Sequence, residues 1–143
     1  MRQFDAAVPH AKRRDNGLIM IWVAVAVGGG LGALLRFGIS RWAAHAIGTG
    51  FPWGTLFVNA LGALLIGFLF AWFSQRLLGI GPAARALVLT GVLGALTTFS
   101  TFSLETLELL QSGELVRAGI NVAANLALSL LLVWIGYVLG ARL

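Results

Sequence analysis

The stretch that decides the fold is "LIMIWVAVAVGGGLGALL", residues 18–35, an unbroken run of apolar residues and glycines. An α-helix rises about 1.5 Å per residue, so this run spans roughly 27 Å, close to one bilayer hydrocarbon core. Three further apolar segments follow it, separated by short turns. Backbone in contact with lipid must satisfy its own hydrogen bonds, and these segments are too long for barrel strands. We therefore expect an all-α membrane protein.

The apolar segments predict four transmembrane helices in a single domain. The predicted helices cover residues 18–46, 52–75, 83–111 and 114–140, within a domain of residues 18–143. Residues 1–17 are polar and basic and are predicted to form a loose cytoplasmic tail. This tail is expected to be retained, since no small-residue cleavage site follows a short apolar run.

The composition also indicates that lipid is the main solvent of the chain. Of its 143 residues, 59% are hydrophobic and only 10% are charged, which is too little polar surface to cover a soluble globule. The chain has no cysteine, which excludes disulfides and thiol chemistry. The net charge is +5, and four of the ten basic residues lie in the first 14 positions. This distribution indicates a membrane anchor rather than a nucleic-acid partner.

Polar residues inside the apolar segments are the candidate functional residues, because lipid disfavours them. They are Arg36, Asn59, Thr90, the run "TTFSTFS" at 97–103, Asn121, Asn125 and Ser129. The last three are spaced four apart, so they share one helix face, which Asn59 could join. Spacing alone leaves two interpretations open: a path of hydrogen-bond donors for a small anion, or contacts that join neighbouring helices.

The run at 97–103 contains five hydroxyl residues, whose side chains compete with the helix for backbone hydrogen bonds. Gly91 and Gly94 precede the run and loosen the helix further. We predict that the third helix is broken here, at mid-membrane, where a break is tolerated only if protein buries it or it lines a cavity. The carbonyl oxygens freed by a break are good ligands for a hard cation.

Phe99 and Phe102 are three residues apart and share a face if the helix resumes after the break. The edge of an aromatic ring is positive, so two such edges could face a dehydrated small anion. The alternative is an aromatic packing pair, which spacing alone favours.

The sequence offers almost no support for enzyme activity, because no zinc ligands, nucleophile–base pair or phosphate loop is present. A proton-coupled carrier is also disfavoured, since it needs a titratable group within the membrane. The first two helices have no acidic residue, while His10 lies in the tail and His45 lies near a helix end.

Three stretches of the chain resemble the Fluc/CrcB fluoride channel family. They are "GGGLGALLRF" (28–37), "FPWGTLFVNALGALLIGF" (51–68) and "GVLGALTTFSTFSLE" (91–105), and the resemblance extends in order over most of residues 20–140. It implies a channel of the inner cell membrane that passively exports cytoplasmic fluoride and so lowers its toxicity. It also implies a dual-topology, antiparallel dimer with two pores.

The resemblance further implies roles for individual residues. Asn59 matches a pore asparagine, Phe99 and Phe102 match a phenylalanine box, and Arg36 lies near the vestibule. A structural sodium ion at the dimer interface would rest on the backbone carbonyls of Gly94 and Thr97. In the fourth helix, Asn121 and Asn125 stand where the family usually has tyrosine and serine. The full predicted fluoride pore comprises Asn59, Thr98, Phe99, Ser100, Thr101, Phe102, Asn121, Asn125 and Ser129.

The distribution of basic residues bears on the partner of this chain. With four spans, the side that carries both termini holds Arg2, Lys12, Arg13, Arg14, Arg76, Arg85 and Arg142. The other side holds Arg41 and Arg117, with Arg36 near its edge. This positive-inside bias leaves two dimer partners open: a second copy, or an oppositely oriented homologue.

Two other functions remain as alternatives. Small multidrug-type exporters are also four-helix antiparallel dimers, but they use a first-helix glutamate that this chain does not have. A non-transport membrane protein, involved in assembly or chromosome organisation, is supported only by the basic tail.

Overall fold

A computed structural model describes residues 9–75 and 79–143, with side chains from residue 16 onward. Within these ranges the chain is helical: α1 is Pro9–Ile47, α2 is Trp53–Gln75, α3 covers 82–96, α4 is Phe99–Gln111 and α5 is Leu115–Gly140. The middle of α3, Ala86–Leu93, is π-helical. Because α3 and α4 share one apolar span, the described residues contain four helical segments long and apolar enough to cross a membrane.

The first helix begins at Pro9, earlier than the predicted start at residue 18. Proline suits the first position of a helix, and the alanine, lysine and arginine that follow are strong helix formers. Residues 9–17, predicted to belong to a loose tail, therefore extend α1, while residues 1–8 of that tail lie outside the described residues. The other outer ends of the predicted helices lie within one residue of the observed ends.

Glycines join the spans in pairs by letting backbones approach closely. Gly28 of α1 faces Gly91 in the π-helical part of α3, and a Cβ built on Gly91 would lie only 2.9 Å from the Gly28 Cα. Gly136 of α5 packs against α2 in the same way, and its Cβ would lie 2.9 Å from the Phe68 backbone nitrogen. Small residues at 28–32 and 136–140 thus allow close helix–helix packing within the chain.

The start of α1 and the end of α5, which are the helix ends nearest the two chain termini, lie at one end of the bundle. Gln75 Nε2, at the end of α2, donates a hydrogen bond of 2.7 Å to the carbonyl of Ala141, just after α5. Gly17 of α1 lines a groove together with Pro82, the first residue of α3. Arg85 and Arg142 lie at this end, as predicted, while Arg2 and Arg76 lie outside the described residues.

The interior of the chain is small and contains several polar side chains. Val58, Leu93 and Leu96 form the apolar core. Among the residues whose side chains are described, the buried polar ones are Thr55, Thr98, Asn121 and Asn125. Much of the outer surface is apolar, with Trp22 and Trp134 among its exposed side chains. Apolar surface gains nothing from burial when the solvent is lipid, so an apolar exterior over a partly polar interior fits a membrane-spanning chain.

Candidate functional site

Two extended residues separate α3 from α4. Thr97 has φ −80° and ψ 155°, and Thr98 has φ −154° and ψ 116°. Thr98 is the N-cap of α4, because its Oγ1 accepts a 3.2 Å hydrogen bond from the Thr101 backbone N–H. The same hydroxyl lies 3.0 Å from Thr101 Oγ1 and 3.3 Å from Ser100 Oγ. The hydroxyl-rich run therefore supplies the local hydrogen bonds that compete with a continuous helix.

Asn59 of α2 supports this interruption from the side. Its Oδ1 accepts a 2.8 Å hydrogen bond from the Thr98 N–H, and its Nδ2 donates a 3.2 Å hydrogen bond to the Thr98 carbonyl. A buried backbone residue outside a helix needs partners for both groups. One asparagine amide provides both, in the way that a neighbouring strand would. Asn59 thus stabilises the conformation of the chain between α3 and α4.

The interruption also removes two carbonyl oxygens from their helical partners. In a continuous α-helix the Thr98 N–H would bond to the Gly94 carbonyl, and the Thr101 N–H would bond to the Thr97 carbonyl. Here these two donors bond to Asn59 and to the Thr98 hydroxyl instead. Gly94 is also exposed at the surface of the chain. Carbonyl oxygens of this kind fit a hard cation such as sodium.

Hydrogen bonds connect Asn59 with the two asparagines of α5. Asn59 Nδ2 donates to Asn125 Oδ1 at 2.9 Å, and Asn125 Nδ2 donates to Asn121 Oδ1 at 2.9 Å. Asn121 Nδ2 then donates to Thr106 Oγ1 at 2.9 Å, and Thr106 Oγ1 donates to the Phe102 carbonyl at 2.7 Å. We call Asn59, Asn125, Asn121 and Thr106 the amide chain. Within one protomer these amides join helices, whereas their place in a pore stays a prediction.

The two phenylalanines differ strongly in exposure. Their ring centroids are 5.2 Å apart with a 59° angle between the planes, so the rings touch. Phe102 is only 6% exposed, but Phe99 is 71% exposed. Phe99 is therefore not packed into the interior of its own chain, although the spacing places both residues on one side of α4.

A groove of about 340 Å³ collects most of the predicted pore residues. Its walls include Asn59, Thr98, Phe99, Phe102, Asn125 and Ser129, with apolar side chains from α2 and α5 between them. Ser100 and Thr101 lie beside it through their contacts with Thr98. Asn121 does not line the groove, because it is fully buried behind Asn125.

Arg36 is not joined to this cluster. It is half-buried on α1, and within residues 16–75 and 79–143 no hydrogen bond or ion pair connects it to the amide chain or to the groove. Its predicted place at a vestibule stays a prediction.

A second cavity, of about 370 Å³, lies near the end of α1 and the start of α2. It is polar on one side, where Thr55 Oγ1 donates a 2.8 Å hydrogen bond to Glu105 Oε1. Glu105 Oε2 is buried and has no hydrogen-bond partner among the described residues. Sequence reasoning missed this pair and also missed Thr106. A single threonine in an apolar helix gives almost no signal, and Thr55 and Glu105 are far apart in sequence.

Comparisons with known proteins agree on one family. The family of CrcB-like proteins, described as Camphor Resistance (CrcB), matches residues 23–137. A protein of Shewanella amazonensis named fluoride-specific ion channel FluC is 54% identical over 78% of this chain and 89% of its own length. Proteins of the same name from Thermus thermophilus (48% identical, 85% of this chain and 94% of theirs) and Aquifex aeolicus (45%, 84% and 96%) are also similar.

Proposed function

The chain belongs to the CrcB-like family, and we propose that it conducts fluoride along the groove lined by Asn59, Thr98 and the Phe99–Phe102 pair. It is a fluoride channel and not an enzyme, since relatives that match it over most of their length carry that name. Its four spans make it a multi-pass protein of the cell membrane. The pathway, the dimer and the sodium ion described below are proposals.

A passive channel is sufficient for the task of lowering cytoplasmic fluoride. Neutral HF crosses lipid and dissociates inside the cell, where the anion is trapped. A membrane potential that is negative inside drives an anion outward with about 2.3 kcal/mol per charge for each 100 mV, or roughly a 50-fold concentration ratio. No titratable carrier group in the membrane is needed for this export.

The groove offers uncharged donors to a dehydrated anion. Both N–H groups of the Asn59 amide and of the Asn125 amide are already engaged. Ser129 makes no side-chain hydrogen bond within the described residues, and Thr101 Oγ1 only accepts one, so both hydroxyl hydrogens are available. The phenylalanine ring edges add positive potential. The proposed pore comprises Asn59, Thr98, Phe99, Ser100, Thr101, Phe102, Asn125 and Ser129, with Asn121 behind Asn125 and Arg36 at the vestibule.

We infer that a second chain, inserted in the opposite orientation, covers this groove. The exposed ring of Phe99 and the exposed polar residues Thr90, Ser100 and Ser103 lie on the third span. Polar side chains facing lipid are costly, so cover by protein is favoured. An antiparallel partner would bring the two interruptions together and create two equivalent pores. The partner is a second copy or an oppositely oriented homologue.

A structural sodium ion at this interface would be held by the Gly94 and Thr97 carbonyls of both chains. The support is that both carbonyls have lost their helical donors. A bound cation would offset the dipoles of these carbonyl groups. We expect a higher thermal midpoint in sodium chloride than in N-methylglucamine chloride, because a ligand of the folded dimer stabilises it by mass action. Equal midpoints over a wide range of sodium concentration would count against an exchangeable sodium site.

The proposed pathway rests on one observation. Asn59 bonds to both backbone groups of Thr98, next to the exposed ring of Phe99. The test is fluoride efflux from liposomes that contain this chain alone, followed with a fluoride electrode after addition of a potassium ionophore. Rapid efflux without a chloride leak would establish a selective channel and a working homodimer. If well-folded protein gives no efflux, the same assay with a co-expressed homologue distinguishes a heterodimer from a failure of the proposed pathway.

A further inference from the structure

The side-chain hydrogen bonds that link the members of the amide chain run in one direction. The Thr98 N–H donates to Asn59, Asn59 donates to Asn125, Asn125 donates to Asn121, Asn121 donates to Thr106, and Thr106 donates to the Phe102 carbonyl. Each amide accepts through its oxygen and donates through its nitrogen. Hydrogen bonds arranged in this way polarise and strengthen one another.

The amide chain starts and ends on the same turn of α4. Thr98 is the N-cap of that helix, and the Phe102 carbonyl lies four residues later. The turn between them carries both phenylalanines. The amide chain therefore ties one end of this turn to α2 through Asn59 and the other end to α5 through the bond between Asn121 and Thr106, so loss of Asn59 or of that bond releases one end.

Asn121 lies behind Asn125, away from the groove walls. It is 0% exposed, and it does not contribute to the groove walls. Its Oδ1 accepts from Asn125 and its Nδ2 donates to Thr106, so the orientation of its amide is fixed from both sides. A direct contact with fluoride would require Asn121 to give up one of these bonds or its burial.

We propose that Asn121 and Thr106 are positioning residues, which hold Phe102 against the groove and set the groove's shape without touching fluoride. The part of its test that measures fluoride efflux rests on the proposed function. The alternative is that Asn121 binds the permeating anion directly, through its amide nitrogen.

A double-mutant cycle tests whether the two residues act through one chain of hydrogen bonds. Asn121→Leu and Thr106→Val keep nearly the same volume and remove the same hydrogen bond. If both residues act through one chain of bonds, each variant lowers fluoride efflux per reconstituted dimer about 10-fold, and the double variant is no worse than either single variant. A double variant that loses the product of the two effects, about 100-fold, would overturn the proposal. Val122→Ala, a change at an exposed neighbour on α5, is the matched control.

The conservative variant Thr106→Ser gives a second check. Serine keeps the hydroxyl that accepts from Asn121 and donates to the Phe102 carbonyl, so we expect efflux within about 2-fold of the unmodified chain. Efflux as low as that of Thr106→Val would show that the hydroxyl alone does not restore function and would contradict a positioning role carried by its hydrogen bonds.

A spectroscopic measurement keeps the inference testable apart from transport. With 4-fluorophenylalanine placed at Phe102, the fluorine-19 resonance should shift or broaden in Thr106→Val and Asn121→Leu but not in Val122→Ala. An unchanged resonance in both folded variants would refute the positioning role. If the unmodified chain conducts no fluoride, the proposed function fails while this spectroscopic arm still decides the inference.

Discussion

The two halves of the third span are attached to the rest of the chain in different ways. α3 meets α1 through close backbone contact at Gly28 and Gly91. α4 is instead joined to its neighbours by hydrogen bonds, including Thr55 with Glu105 and Asn121 with Thr106. Lipid tails are as apolar as leucine, so helices in a membrane associate through close packing or through hydrogen bonds. Both kinds of association occur within one span, on either side of the extended residues Thr97 and Thr98.

The attachments of α3 and α4 should therefore respond to different kinds of substitution. Attachment by close packing depends on volume, so a single added carbon should weaken it. Attachment by hydrogen bonds depends on polarity, so an apolar residue of equal volume should weaken it.

Asn59→Leu should have the largest effect, because it removes three hydrogen bonds and leaves both backbone groups of Thr98 without partners. An unsatisfied buried polar group costs about 1–3 kcal/mol, so we expect a loss of roughly 2–6 kcal/mol of stability. Fluoride efflux from the folded fraction should fall below detection. Gln75→Leu, which removes an exposed hydrogen bond at the end of α2, is the control. A stable Asn59→Leu channel with normal efflux would contradict the role of Asn59.

Gly28→Ala should destabilise the contact between α1 and α3. The new methyl group would overlap the Leu87 carbonyl oxygen and lie 3.0 Å from the Gly91 Cα, and overpacking of this kind costs about 1–3 kcal/mol. Gly30→Ala meets open space within the chain and should gain about 0.5 kcal/mol from helix propensity. Thermal unfolding in detergent measures both. Equal losses would mean that a second chain covers the Gly30 face of α1.

Phe99→Ile should lower fluoride efflux about 10-fold, equivalent to roughly 1.4 kcal/mol in the barrier. Its effect on unfolding of the single chain should stay within about 0.5 kcal/mol, because the ring is exposed. Phe57→Ile, at another exposed phenylalanine on α2, should leave efflux unchanged. If the two variants conduct equally, the Phe99–Phe102 pair only packs and does not select the anion.

Glu114→Gln should have the smallest effect. It removes a 3.2 Å ion pair with Arg117 in which both side chains are about half exposed. Exposed pairs one helical turn apart contribute about 0.3–0.5 kcal/mol or less. Efflux and thermal midpoint should therefore match those of the unmodified chain. A marked loss of either would mean that this turn is buried against a second chain.

The sequence predicted the features that depend on local composition. Hydropathy located the four spans, and the hydroxyl-rich run at 97–103 pointed to the place where Thr97 and Thr98 are extended. The early start of α1 at Pro9 was missed because hydropathy does not report whether polar residues continue a helix. Predictions for the dimer, the sodium ion and the fluoride contacts stay predictions.

Features that depend on partners distant in sequence could not be predicted. Phe99 and Phe102 have equivalent spacing, but only the packing of α2 and α5 decides that Phe102 is buried and Phe99 is exposed. The spacing of Asn121 and Asn125 predicted a shared face. It did not predict that both N–H groups of the Asn125 side chain donate hydrogen bonds within the chain. This depends on where α5 places Asn121 relative to Thr106 of α4.

The length of α1 has a practical consequence for membrane orientation. Its 39 residues would extend about 58 Å, nearly twice the hydrocarbon thickness, and residues 9–15 precede its apolar span. The lysine and arginines at 12–14 are therefore tryptic sites beyond the lipid. In sealed vesicles, trypsin added outside would remove the N-terminal residues from every chain of a uniformly oriented protein or from none of them. A chain that inserts both ways would yield equal amounts of polypeptide with and without its N-terminal residues, so the start of α1 reports the orientation of each chain.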